Sequence, residues 1–166
     1  MTVTINGTNG IDKVAAGAIE KADLPAGAIL QVVNATVTAE ASNSTSTFAD
    51  TGLTATITPT STTSKILVLV NHCGCGKTNN NTGLQIKLLR NGSQIVYLED
   101  AGCYSNSTAS NFIGSVSCSY LDSPATTSAV TYKTQLASRG NNAVVYVQTY
   151  GSVLATSTIT LMEIAA

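Results

Sequence analysis

From Gly27 onward the chain breaks into short runs in which apolar and polar residues alternate, divided by clusters of Gly, Pro, Asn, Ser and Thr. Alternation with period two is the mark of a half-buried strand, and such clusters are the chemistry of turns. Residues 28–38, 53–58, 111–120 and 156–164 each read as a strand. The longest apolar run, 64–72 (Ser-Lys-Ile-Leu-Val-Leu-Val-Asn-His), is rich in β-branched residues and is expected to be a strand buried on both faces. Runs at 84–90 and 94–98 flank Asn91-Gly92, the dipeptide most characteristic of a tight hairpin. A second hairpin is expected between 129–136 and 143–148 around Gly140-Asn141-Asn142. Eight or nine strands without the helices that parallel crossovers require exclude a parallel α/β fold. The pattern predicts an all-β protein, an antiparallel β-sandwich of jelly-roll type.

Residues 1–27 follow another pattern. Thr2-Val3-Thr4-Ile5 alternates briefly, and a turn cluster, Asn6-Gly7-Thr8-Asn9-Gly10, follows. Ile11, Val14, Ala15 and Ala18 then have helical spacing with Gly17 among them, a pattern too short for a stable isolated helix. The chain therefore divides into a short extended N-terminal arm (1–27), used for attachment or subunit exchange, and a sandwich domain (28–166).

Composition narrows the functional classes. Charged residues make up 10% of the chain, far below the ~25% of an ordinary domain, and the net charge is -1. No Lys/Arg cluster is present to track phosphates, which argues against nucleic-acid binding. No apolar run approaches the ~20 residues that a spanning helix needs, so no membrane insertion is expected. Residues 1–7 lack the basic start and apolar stretch of a signal peptide. Asn-x-Ser/Thr triplets begin at Asn34, Asn43, Asn91 and Asn106, as chance provides in so Asn/Ser/Thr-rich a chain.

Few motifs carry chemistry. Gly74-Cys75-Gly76-Lys77-Thr78 imitates the end of a phosphate-binding loop, but Asn71 stands where the first glycine is required, and Asn79-Asn80-Asn81-Thr82-Gly83 does not start a helix. Cys73 and Cys75 are spaced more tightly than zinc-binding pairs, and on a regular strand His72 would face away from them. Cys73, Cys75, Cys103 and Cys118 read first as small buried fillers, with a Cys103–Cys118 disulfide and a His72-Cys73-Cys75 metal cage as alternatives. His72 is the only histidine, and no Gly-x-Ser-x-Gly elbow is present. Glu99-Asp100 is the one adjacent acid pair and reads as a solvated turn. No cofactor, metal or catalytic residue is assigned, and a non-enzymatic role is expected. The polar loops 39–50, 76–83 and 101–110 are the candidate contact surfaces. The candidate binding residues are Tyr104, the aromatic whose ring suits a sugar face, with Asn79, Asn80, Asn81 and Asn106.

Gly27-Ala28-Ile29-Leu30-Gln31-Val32-Val33, 58–68, Tyr120-Leu121-Asp122-Ser123-Pro124-Ala125-Thr126-Thr127-Ser128 and the ending Ser157-Thr158-Ile159-Thr160-Leu161-Met162-Glu163-Ile164 together resemble a β-sandwich module of bacteriophage tail-fibre and related virion proteins. The leader Thr4-Ile5-Asn6-Gly7-Thr8-Asn9-Gly10-Ile11 is similar to the start of phage fibre proteins. The likeness covers residues 27–166 and rests on structural motifs. It implies a trimeric jelly-roll appendage on the virion surface that binds host-surface glycans or proteins and meets other virion proteins through residues 1–27. The chain is short and has no shaft repeat. A compact receptor-binding tip is therefore the expected role, with a capsid decoration (cement) protein and a glycan-cleaving tail enzyme as alternatives.

Overall fold

The computed structural model describes residues 23–108, 111–150 and 153–166. The helical spacing at 11–18, and with it most of the expected N-terminal arm, lies outside them. Two antiparallel sheets pack face to face. The first takes β1 (Ile29–Val37), β12 (Ser157–Ile164), β4 (Lys65–Lys77) and β7 (Asn111–Asp122) in that order. The second takes β3 (Ala49–Ile57), β8 (Val130–Gly140), β5 (Thr82–Arg90) and β6 (Ser93–Ser105). Among these eight long strands, neighbours in each sheet are far apart in sequence except β5 and β6. The chain alternates between sheets in the jelly-roll manner. Shorter strands complete it: β2 (Ala41–Asn43) pairs with β9 (Val145–Val147), and β10 (Thr149–Tyr150) with β11 (Val153–Leu154).

The β5–β6 hairpin turns on Asn91-Gly92, both at positive φ (49° and 85°), as the twist of a two-residue hairpin demands. The second expected hairpin does not exist. β8 pairs with β3 and β5, whereas β9 crosses to the other sheet and pairs with β2 and β4. Alternation identified both strands but carries no information on which sheet receives each.

β4 is the spine of its sheet. Its first half pairs with β12 and its last residues, Gly76 and Lys77, with β9, while β7 runs along its other flank. It is not buried on both faces. Ile66, Val68 and Val70 are buried, while Leu67 and Leu69 point outward and are half-buried. Nor does the strand end at His72. It continues through Cys73-Gly74-Cys75-Gly76 to Lys77, with pairing shifts at Cys73/Cys75 and Cys75/Gly76. Gly74 has φ +61°, and a Cβ there would lie 2.5 Å from the backbone N and O of Thr149. The glycine thus makes room for a crossing strand rather than for a phosphate.

The interior has two apolar clusters. One gathers Leu53, Ile66, Val68, Tyr132, Ile159 and Leu161, and the other Cys75, Leu84, Ile86, Leu136 and Val147. Between them, on β4 and β8, lie His72 and Thr134, both fully buried. His72 Nε2 is 3.0 Å from Thr134 Oγ1, which is 2.6 Å from Thr51 Oγ1. Gln148 stands against the imidazole and donates from Nε2 to the Thr51 carbonyl at 2.8 Å. Burial pushes the His72 imidazole down to about 4, so the ring is neutral at pH 7.

Candidate functional site

The far end of β4 meets the ends of three other strands. Beyond Lys77, Ser105 and Gly140 the chain leaves its strands at 78–81, 106–108 and 141–144, and hydrogen bonds tie these segments together. Asn141 donates from Nδ2 to the Asn80 carbonyl at 2.7 Å, and Asn80 donates from Nδ2 to the Asn106 carbonyl at 3.4 Å. Thr82 donates to Asn141, and the Asn81 amide donates to the Ser105 carbonyl at 2.7 Å. Asn81 adopts φ 52°, a conformation that asparagine tolerates better than most residues.

Tyr104, near the end of β6, lies at this end of the sandwich. The residue is 53% exposed and lines a depression of about 320 Å³ with Ala101, Arg139 and Gly140. Lys77 lies beneath. Its side chain is fully buried, Nζ donates to the Ser105 carbonyl at 3.1 Å, and the ammonium is 5.9 Å from the centre of the Tyr104 ring. A cation near the face of an aromatic ring is attracted by its quadrupole, which favours one orientation of the ring. Arg139 pairs with Asp100, which also accepts from Gln85 Nε2 at 2.7 Å. The result is an aromatic platform with a guanidinium and a carboxylate beside it.

Of the sequence-level candidates, Tyr104, Asn80, Asn81 and Asn106 are brought together. The asparagines act mainly by holding the loops. Asn79 is exposed, and its Oδ1 accepts from the Asn80 amide at 2.8 Å. Segment 39–50, expected as a polar loop, lies elsewhere and is partly strand: it holds β2 and the start of β3. Asn43 Nδ2 donates to the Thr47 and Leu136 carbonyls, which ties the loop to β8. Lys77, Arg139 and Asp100 were not among the candidates. Lys77 falls in the expected loop 76–83 but ends β4, because nothing local in the sequence shows that its strand continues past Gly76.

Several carboxylates are engaged in structure. Glu99 Oε1 accepts from the amides of Asp100 and Ala101 at 2.9 and 3.0 Å. At the opposite end, burial alone would raise the Glu163 carboxyl, but hydrogen bonds from Gln31 and Thr60 outweigh it and hold it at about 2. Asp122 is bound by Arg90 at 2.9 Å and by the buried Tyr132 hydroxyl at 2.6 Å. All four cysteines are free thiols, which leaves the expected disulfide alternative unformed. Burial pushes the Cys75 thiol up to about 12 and raises that of Cys103. Among the described residues, no three His, Cys, Asp or Glu side chains are grouped to hold a metal ion.

The fold defines the chain as an all-β sandwich protein. No protein-family model matches it, and no curated protein shows significant similarity to it.

Proposed function

We propose that this chain is a non-enzymatic structural protein of a bacteriophage particle, a compact tail-fibre or receptor-binding protein. On this reading it works as a homotrimer, is attached to other virion proteins through residues 1–27, and engages a host-surface glycan or protein with the loop end. The observation that carries the reading is the half-exposed Tyr104 ring, placed over the buried Lys77 and beside the Arg139–Asp100 pair. Such a ring offers an apolar face to the C–H side of a pyranose, while the guanidinium and carboxylate hydrogen-bond its hydroxyls. The resemblance of 27–33, 120–128 and 157–164 to phage appendage modules supports the virion setting. Engagement of Glu99 and Asp100 by the protein's own groups weighs against a glycan-cleaving role.

The test is binding of the purified protein to a panel of immobilised bacterial surface polysaccharides and to intact cells. Tyr104→Ala and Arg139→Ala are expected to reduce retention at least tenfold with an unchanged far-UV spectrum. Retention equal to that of the wild type in both variants overturns the site. Labelling of intact particles decides the role: a few copies at the tail fit a receptor binder, and many copies over the head fit a decoration protein.

A further inference from the structure

The polar cluster between the sheets holds two atoms that the observed pairing leaves over. His72 Nδ1 and Gln148 Oε1 are buried, and neither has a hydrogen-bond partner at normal geometry among the described residues. They belong to side chains that stand against each other. A buried polar atom without a partner is uncommon and calls for a reason. The groups around the ring carry no charge: Thr134 meets it from β8, Gln148 from the junction of β9 and β10, and Val116 lies beside it in register on β7. The nearby Cys75 thiol donates to the His72 carbonyl at 3.4 Å, not to the ring.

One assignment of the hydrogens satisfies every member of the cluster. Gln148 Nε2 donates to the Thr51 carbonyl at 2.8 Å, so Oε1, which can only accept, is the atom left for the ring. The Leu53 amide donates to Thr51 Oγ1 at 3.1 Å, and a backbone N–H cannot reverse its role. Thr51 Oγ1 then gives its own hydrogen to Thr134 Oγ1, and Thr134 gives its hydrogen to His72 Nε2. Nε2 is thereby the accepting nitrogen of the neutral ring, and the proton lies on Nδ1, toward Gln148 Oε1. The opposite tautomer sets the lone pair of Nδ1 against those of Oε1 and leaves both unpaired.

We infer that His72 carries its proton on Nδ1 and is a latch that holds Gln148, and with it the turn from β9 into β10, against the interior. Gln148 needs holding. It has φ 65°, a left-handed conformation that glutamine adopts rarely and at a cost. Its amide donates to the Cys73 carbonyl at 2.7 Å, and its carbonyl accepts from the Ala155 amide at 2.9 Å. The side chain adds a tie to each sheet: Nε2 to Thr51 on β3, and Oε1 to His72 on β4. The path of donation runs from the Thr51 hydroxyl through Thr134, His72 and Gln148 and returns to the Thr51 carbonyl. A circuit with one direction lets each bond polarise the next, so the loss of one link weakens the others.

The experiment is heteronuclear NMR at pH 7.5 on the full chain with isotope-labelled histidine nitrogens; the single histidine gives two ring signals without overlap. The expected result is a protonated signal at Nδ1 and an unprotonated one at Nε2. Gln148→Leu keeps the bulk and removes the acceptor. In it the proton is expected to move to Nε2 and donate to Thr134, and amide exchange at positions 148 and 155 to quicken by about tenfold or more. Faster exchange alone would follow from any structural role, so the move of the proton is the deciding signal. Should Gln148→Leu fail to fold, Gln148→Asn takes its place: it tolerates the left-handed region and withdraws the oxygen, with the same expected outcome. A wild type protonated at Nε2 overturns the tautomer and the latch together. A folded variant with the proton still on Nδ1, or with unchanged exchange at both amides, overturns the latch.

Discussion

Acidification is the sharpest perturbation, because the chain has a single histidine and the fold buries it. His72 is held neutral down to about 4, against 6.5 for the free side chain, by burial between the sheets. The unfolded chain therefore binds a proton below pH 6.5 that the folded chain refuses until about pH 4. Stability attributable to this difference is intact above pH 6.5 and declines as pH falls through the window between the two values. At ~1.36 kcal/mol per unit the whole shift is worth about 3 kcal/mol, of which about 2.5 kcal/mol is lost by pH 4.5. Urea unfolding followed by tyrosine fluorescence suits a chain with six tyrosines and no tryptophan. At a slope of ~2 kcal/mol/M the midpoint is expected to fall by about 1 M between pH 7.5 and 4.5, at one fixed protein concentration. His72→Gln is expected to be less stable at pH 7.5 by about 1–2 kcal/mol, through lost hydrogen bonding, and to show a nearly flat midpoint over the same window. Glu163 and Asp50 do not blur the result. Their lowered values place their losses below 4.5 and 3.8, as pH falls further. A wild-type midpoint that stays constant from 6.5 to 4.5, or one that falls equally in the variant, refutes the reasoning.

Other consequences are simpler to read. Gly74→Ala is expected to destabilise by more than about 2 kcal/mol, measured by thermal melting, because its Cβ meets the Thr149 backbone in a left-handed conformation. Tyr132→Phe removes the hydroxyl donor to the buried Asp122 and should cost about 1–2 kcal/mol; Arg90 keeps the carboxylate paired, so the fold survives. In native protein at pH 8, Cys75 is expected to resist iodoacetamide until urea unfolds the chain, as peptide mass spectrometry would show; Cys73, Cys103 and Cys118 are only partly buried and should react earlier.

Much of the sandwich is visible in alternation alone. The runs at 53–58, 84–90 and 156–164 become β3, β5 and β12, and Asn91-Gly92 forms the turn that its chemistry demands. What escaped is non-local. The 64–72 run is apolar on both faces, and this reads as double burial although the outward Leu67 and Leu69 are only half covered. The separation of β8 from β9 depends on which sheet each strand joins. His72 and Cys75 share the interior because the irregularity at Gly74 changes the phase of the strand, and period-two counting does not register such an irregularity. At the far end of β4, Asn79, Asn80, Asn81 and Asn106 were recognisable as polar loop chemistry, whereas Tyr104, expected in a loop over 101–110, stands on β6, which runs on to Ser105. Lys77 and Arg139 were not recognisable, because each acts there only through residues distant in sequence.

The pairing of β1 with β12 also fixes how the domain responds to force. Gly27 donates to the Ala165 carbonyl at 2.8 Å and Ala165 to the Ala28 carbonyl at 2.9 Å, so β1 begins and β12 ends at one end of the sandwich. Tension applied between those ends peels the β1–β12 ladder open one bond after another, from Ile29↔Ile164 toward Val37↔Ser157. Tension between the start of β1 and the Tyr104 end instead runs along β4 and loads its ladders in shear, with many bonds resisting at once. The domain is a soft zipper in the first direction and a stiff strut in the second.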